Sequence, residues 1–268
     1  MIRFTAGALA LALAAAPAQP APVDPAVPRL LQQAPPDTRA TVRTVQVRRP
    51  DGTSFPVDVY TGPGDGRRPT LIFLSGTDDP RHWNVYKDYG RLAVARGFTA
   101  VVPAKRYARA SLEAFTNGRE DTMTLLRGLA DLPGADPARS CLWAFSGGGP
   151  MISTAYAADA VAVDCVVAFY PVLQTPVGDD AFRAVQSPVE ALKAGTAAPP
   201  MLLVRAGKDS AFLNGTIAAF ADAALAENLE FTLVNLPDGV HAFDIFDDQP
   251  WSRAAILRAF DFAREHAR

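Results

Sequence analysis

The apolar positions of this chain fall into short runs separated by amphipathic stretches, and the two periods alternate from about residue 41 onward. The stretch "TVRTVQVRRPDGTSFPVDVY" alternates with a period of two on either side of Asp51-Gly52, which predicts two antiparallel strands joined by a tight hairpin. "PTLIFLSG" at 69–76 is apolar without alternation, as expected of a strand buried on both faces of a parallel sheet. Beyond it, strand and helix patterns take turns. A helix around 85–96 leads to "FTAVVP". One around 119–132, with Leu125, Leu126, Leu129 and Leu132 on one face, leads to "CLWAF". A helix opening at Gly147–Gly149, with Pro150 in its first turn, leads to "CVVAFYP". "PMLLVRAG", a helix around 214–227, "EFTLVNL" and a last helix carrying Ile256, Leu257 and Phe260 complete the series. A hairpin followed by repeated strand–helix units predicts an α/β fold: about eight strands, mostly parallel, with helices on both faces. Right-handed crossovers place the loops after the strands along one edge, where ligands bind in open sheets.

Composition changes this picture only at the N-terminus. The 268 residues are 49% hydrophobic and 20% charged, with net charge −2, which is ordinary for a globular domain and gives no basic footprint for nucleic acid. Residues 1–18 read as a signal peptide: a basic start at Arg3, the apolar run "FTAGALALALAAA" and a small-x-small site ending at Ala18. The run is shorter than the roughly 20 residues a membrane span needs, so stable membrane insertion is not expected. Residues 19–40 follow as a Pro-rich tether, with seven prolines between 17 and 36, and the domain proper occupies 41–268. The expected location is periplasmic or secreted.

"LWAFSGGGPM" seats Ser146 between a buried strand and three glycines. A glycine-rich turn can serve only close packing, so the other strand ends matter. Asp209 follows "PMLLVRAG" and His241 follows "EFTLVNL", both on the edge that carries Ser146. A serine hydroxyl is a weak nucleophile until an imidazole takes its proton, and a carboxylate fixes the imidazole tautomer. The chain has three histidines. His266 sits in a C-terminal tail expected to fray and His82 in the loop after the first long strand, which leaves His241 as the base. Asp244, Asp247 and Asp248, just past it, read as loop or helix-start carboxylates. Three histidines without ligand spacing imply no metal site, and no organic cofactor is implied.

The order Ser, Asp, His, with the nucleophile at a strand–helix turn, resembles the α/β-hydrolase fold. "SGGGP", "FYP", "RAGKD" and "HAFD" together resemble the esterases related to dienelactone hydrolase; Ser146 stands where dienelactone hydrolase itself typically has cysteine. The resemblance covers about residue 43 to the C-terminus. It implies an oxyanion hole made by the N–H of Gly147 and a second N–H from the loop after "LIFLSG", where relatives often carry His-Gly-Gly. Here the loop reads Ser75-Gly76-Thr77, so Thr77 is the candidate and Gly76 the alternative. Ala144 replaces the first glycine of G-x-S-x-G. In this fold the strands opened by Cys141 and Cys165 are neighbours. The two cysteines therefore read either as a disulfide or as two small apolar side chains packed in the sheet. Parallel in-register neighbours fit a bridge poorly.

The activity implied is hydrolysis of small carboxylic esters. A peptidase or acyltransferase on the same fold, or a catalytically silent binding protein, are the alternatives. Residues 171–200 stand where hydrolases of this fold often insert a lid. One helix around 179–194, with Phe182, Val185, Val189 and Leu192 inward, would leave little apolar surface for lipid. Tyr107, Trp83 and Phe243 are expected to wall a compact substrate site.

Overall fold

The computed structural model describes residues 29–76, 79–105, 111–175, 178–194 and 199–268. The signal segment at 1–18, the tract up to residue 28, Thr77 and Tyr107 lie outside the described residues.

Among the described residues eight strands form one sheet in the order β1-β2-β4-β3-β5-β6-β7-β8. They are β1 (Thr41–Arg48), β2 (Ser54–Thr61), β3 (Arg68–Leu74), β4 (Thr99–Pro103), β5 (Ala135–Phe145), β6 (Cys165–Phe169), β7 (Met201–Ala206) and β8 (Phe231–Leu236). β2 is antiparallel to both β1 and β4, and the pairs from β4 to β8 are parallel. The helices are α1 (Asn84–Ala95), α2 (Leu112–Arg127), α3 (Asp180–Gln186), α4 (Pro188–Ala194), α5 (Ala211–Ala226), α6 (Phe243–Phe246) and α7 (Pro250–His266). Ser111 and Ser210 start α2 and α5 by accepting the N–H groups of Ala114 and Leu213, so both helices begin earlier than their apolar faces alone suggest.

Burial follows the two-residue period of a strand. Leu142, Ala144, Val166 and Ala168 enter a core on one side of the sheet, while Cys141, Trp143, Phe145, Val167 and Phe169 enter the core on the other. The second core is aromatic: the Trp143 ring lies 5.5 Å from Phe73, 5.2 Å from Phe169 and 4.9 Å from Phe260. Each such buried side chain contributes about 1.5–3 kcal/mol, which fixes the depth and direction of the strands that end at the site. Leu125, Leu126, Leu129 and Leu132 are buried, as are Ile256 and Phe260.

Cys141 and Cys165 face each other in register and are joined by a disulfide, with their Cα atoms 4.7 Å apart. The poor fit argued for parallel neighbours is met by this close approach.

Four expectations are corrected. The segment after Ser146 runs as tight 3₁₀-type turns over Ser146–Ala155, with Pro150 as its fifth residue rather than in its first turn. Three glycines and a proline that lacks an N–H form an α-helix poorly. The lid helix is broken into α3 and α4 at Ser187-Pro188, because a residue before proline is pushed to extended backbone. Val189 and Leu192 are buried and Phe182 packs on the core, but Val185 is 37% exposed. The last histidine does not fray: His266 bonds Phe262 O at 2.9 Å and Glu230 Oε1 at 3.2 Å.

The fourth concerns the end of the Pro-rich tract, which is docked. Arg29 donates twice to Asp88 of α1, at 2.6 and 3.1 Å; Leu30 is buried; and Leu31 N–H donates to the backbone oxygen of Asp244 at 3.0 Å. The folded part reaches back at least to Arg29.

Candidate active site

Ser146 sits at the C-terminal end of β5 with φ +48°, a left-handed conformation that L side chains rarely adopt. The turn is tight because backbone crowds it on every side. A Cβ on Gly148 would lie 2.0 Å from Leu74 O, and one on Gly149 would lie 2.1 Å from Val172 O. A Cβ on Gly76 would lie 2.6 Å from Gly147 N and 2.8 Å from Ser146 Cβ. The three glycines therefore let the serine turn press against the loops that follow β3 and β6. Val172 N–H donates to Ser146 O at 2.9 Å and fixes the second contact. Ser146 and Gly147 are half-buried.

Asp209 follows β7 and His241 follows β8. Asp209 Oδ2 lies 2.6 Å from His241 Nδ1, and the carboxylate side chain is only 6% exposed. Its other oxygen accepts Ser210 N–H at 2.7 Å. Two backbone bonds lock the loops together: Gly207 N–H to Leu236 O and Lys208 N–H to Gly239 O, both 2.8 Å. Asn214, in the first turn of α5, holds the carbonyls of Gly207 and Asp209 at 3.3 Å each. His241 leaves 41% of its side chain open to solvent. Its ring lies 4.7 Å from that of Tyr170, the residue after β6.

His82 is 71% exposed and lies 3.5 Å from Asp79. Arg81 beside it pairs with Asp79 and approaches Asp58 of β2 at 3.7 Å, tying the loop after β3 to the sheet. A cavity of about 30 Å³ opens between the ends of β3 and β4 and the serine segment, with Leu74, Ser75, Pro103, Thr122 and Met151 in its wall.

One expectation about the surroundings fails. Phe243 does not wall the cleft: it is fully buried, 5.1 Å from Phe169, because the turn at Ala242 (φ +57°) directs it into the aromatic core. Trp83 is half-buried and packs on that same core. Asp244 stands in the first turn of α6, as a helix-start carboxylate would, but it is no surface charge. It is fully buried and accepts the hydroxyls of Tyr170 at 2.6 Å and Tyr89 at 2.7 Å. Burial pushes its carboxyl above the usual range, and the two hydroxyl donors pull it partly back. Burial, and then the charge of Asp244, hold both phenols well above theirs, so they remain donors. The one sequence signal for this was the aspartate of "HAFD", which reads like any polar residue until the fold buries it.

Comparison with protein-family models gave no match, and comparison with curated proteins gave none. Solved structures do match. A thermostable esterase from Pseudomonas putida aligns at a TM-score of 0.66 and 18% identity, over 85% of this chain and 84% of that one. An esterase from the planctomycete Thermogutta terrifontis aligns at 0.63 and 18% identity, over 87% and 92%. That esterase is also known in propionate-bound and butyrate-bound forms. Dipeptidyl peptidase 4 from Porphyromonas gingivalis aligns at 0.69 and 14% identity over 85% of this chain, which corresponds to only 36% of the peptidase. Identities this low speak to architecture and leave the subfamily open. The strand order and these neighbours agree on one conclusion: the chain has the α/β-hydrolase fold.

Proposed function

We propose that this protein is a serine hydrolase of small carboxylic esters, exported to the periplasm or secreted. The observation that carries the reading is the buried Asp209 carboxylate 2.6 Å from His241 Nδ1, at the sheet edge where Ser146 occupies a strained turn. Asp209 takes the Nδ1 proton as its hydrogen bond, which leaves Nε2 of His241 as the base. Ser146 Oγ attacks the ester carbonyl while His241 accepts its proton. Gly147 N–H and a donor from the loop after β3, Thr77 or Gly76, stabilise the oxyanion, each worth about 10²–10³ in rate. Collapse expels the alcohol, protonated by His241, and leaves an acyl group on Ser146. His241 then activates water, and the acid is released.

Short acyl groups suit the small cavity beside the serine segment, which has space for roughly two waters. The propionate- and butyrate-bound forms of the Thermogutta esterase point the same way. Export is supported by the N-terminal pattern and by the Cys141–Cys165 disulfide, a bond that oxidising compartments favour. The test is covalent labelling by a fluorophosphonate together with hydrolysis of short p-nitrophenyl esters. The purified protein should label and turn over. Ser146→Ala and His241→Ala should each lose several orders of magnitude in kcat, and Asp209→Asn as much or less, without additivity. Wild-type hydrolysis by folded Ser146→Ala would overturn the assignment.

A further inference from the structure

We propose that Asp244 is a positioning residue for His241, acting through Tyr170; the inference rests on His241 being the base. His241 is held on one side by Asp209, while much of its side chain is open to solvent. Its ring also lies against that of Tyr170, tilted by 59° at 4.7 Å. Tyr170 is itself strained: its φ is +40°, unusual for a large aromatic residue. Strain of this kind persists only where the surroundings over-determine it. Here the determinant is Asp244, which accepts the Tyr170 hydroxyl at 2.6 Å and the Tyr89 hydroxyl from α1 at 2.7 Å.

The same residue also fixes the histidine loop from below. His241, Ala242 and Asp244 form one tight stretch, with Ala242 at φ +57°. The backbone oxygen of Asp244 accepts Leu31 N–H at 3.0 Å, so the docked N-terminal segment anchors it a third way. A fully buried carboxyl among the aromatic residues Tyr89 and Tyr170 is costly, and an apolar side chain would pack there at less cost. What an apolar side chain cannot do is hold the Tyr170 hydroxyl at one point and so set the plane of the ring against the imidazole. Asp244 thus joins α1, the end of β6, the N-terminal segment and the base loop through directional bonds.

The experiment compares Tyr170→Phe, Asp244→Leu, Asp244→Asn, their combination Tyr170→Phe/Asp244→Leu, and His241→Ala on one short p-nitrophenyl ester. Tyr170→Phe removes a hydroxyl and keeps the ring. It should lower kcat about tenfold at unchanged KM, the scale of misplacing a catalytic group rather than removing it. Asp244→Leu should lose at least as much, and the double variant no more than Asp244→Leu alone, since the two act in series. Asp244→Asn keeps an acceptor for Tyr170 and should recover most of the kcat. A purely structural role would lower thermal stability and leave kcat well below the melting temperature untouched. Wild-type kcat in Tyr170→Phe overturns the proposal even if Asp244→Leu fails to fold. So do independent, multiplying effects of the two substitutions. His241→Ala separates the premises: its activity would refute the base, whereas its inactivity beside a fully active Tyr170→Phe would refute positioning alone.

Discussion

Gly76 and Gly147 are in backbone contact: a Cβ at residue 76 would fall 2.6 Å from the Gly147 nitrogen, well inside contact distance. The loop after β3 and the serine turn after β5 are therefore one packed unit. Gly76→Ala must push them apart, moving the donor that directly follows the nucleophile. We expect kcat to fall by about 100-fold, the scale of a 1 Å misplacement, with a smaller effect on the melting temperature. Steady-state hydrolysis alongside a thermal melt checks this, and unchanged kcat would show that the loop can yield.

The disulfide ties β5 to β6 five residues before Ser146 on one strand and five before Tyr170 on the other. It closes a loop with a sequence separation of 24. Loop-closure entropy assigns such a bond about 3 kcal/mol. Cys141→Ala/Cys165→Ala should lower the urea-derived stability by about that amount. Thiol titration of the unfolded protein should find none before reduction and two after.

Acyl-chain preference follows from the cap. Val189 and Leu192 of α4 are buried against the domain, so the cap lies down on it with little apolar surface left to present to lipid. Across p-nitrophenyl esters, kcat/KM should peak at short acyl chains. A maximum at eight carbons or longer, with activation at an oil–water interface, would contradict this.

Asp88 secures the N-terminal segment. Only 1% exposed, it accepts Arg29 Nη2 at 2.6 Å, Gln33 Nε2 at 3.2 Å and Leu30 N–H at 3.3 Å. Asp88→Ala strips those donors of their acceptor and should cost on the order of 1–3 kcal/mol. The segment should also become sensitive to limited proteolysis near residue 33 under conditions where the wild-type protein resists.

By itself the sequence determined the class of fold, because short unbroken apolar runs such as "LIFLSG" and "CVVAF", alternating with amphipathic helical stretches, read as strands covered on both faces by those helices. It also singled out Ser146, Asp209 and His241, since strand ends in such a sheet share one edge and only three histidines were available. Local chemistry carries those inferences. What it does not carry is the meeting of segments distant in sequence. Asp244 is a helix-start carboxylate, but only the fold brings Tyr89, 155 residues earlier, and Tyr170, 74 residues earlier, onto it. Phe243 resembles a cleft wall until the left-handed turn at Ala242 sends it inward. Arg29 and Leu30 resemble a tether until Asp88 holds them. In each case a polar or apolar residue has several acceptable local roles of similar energy, and burial against a remote partner chooses among them.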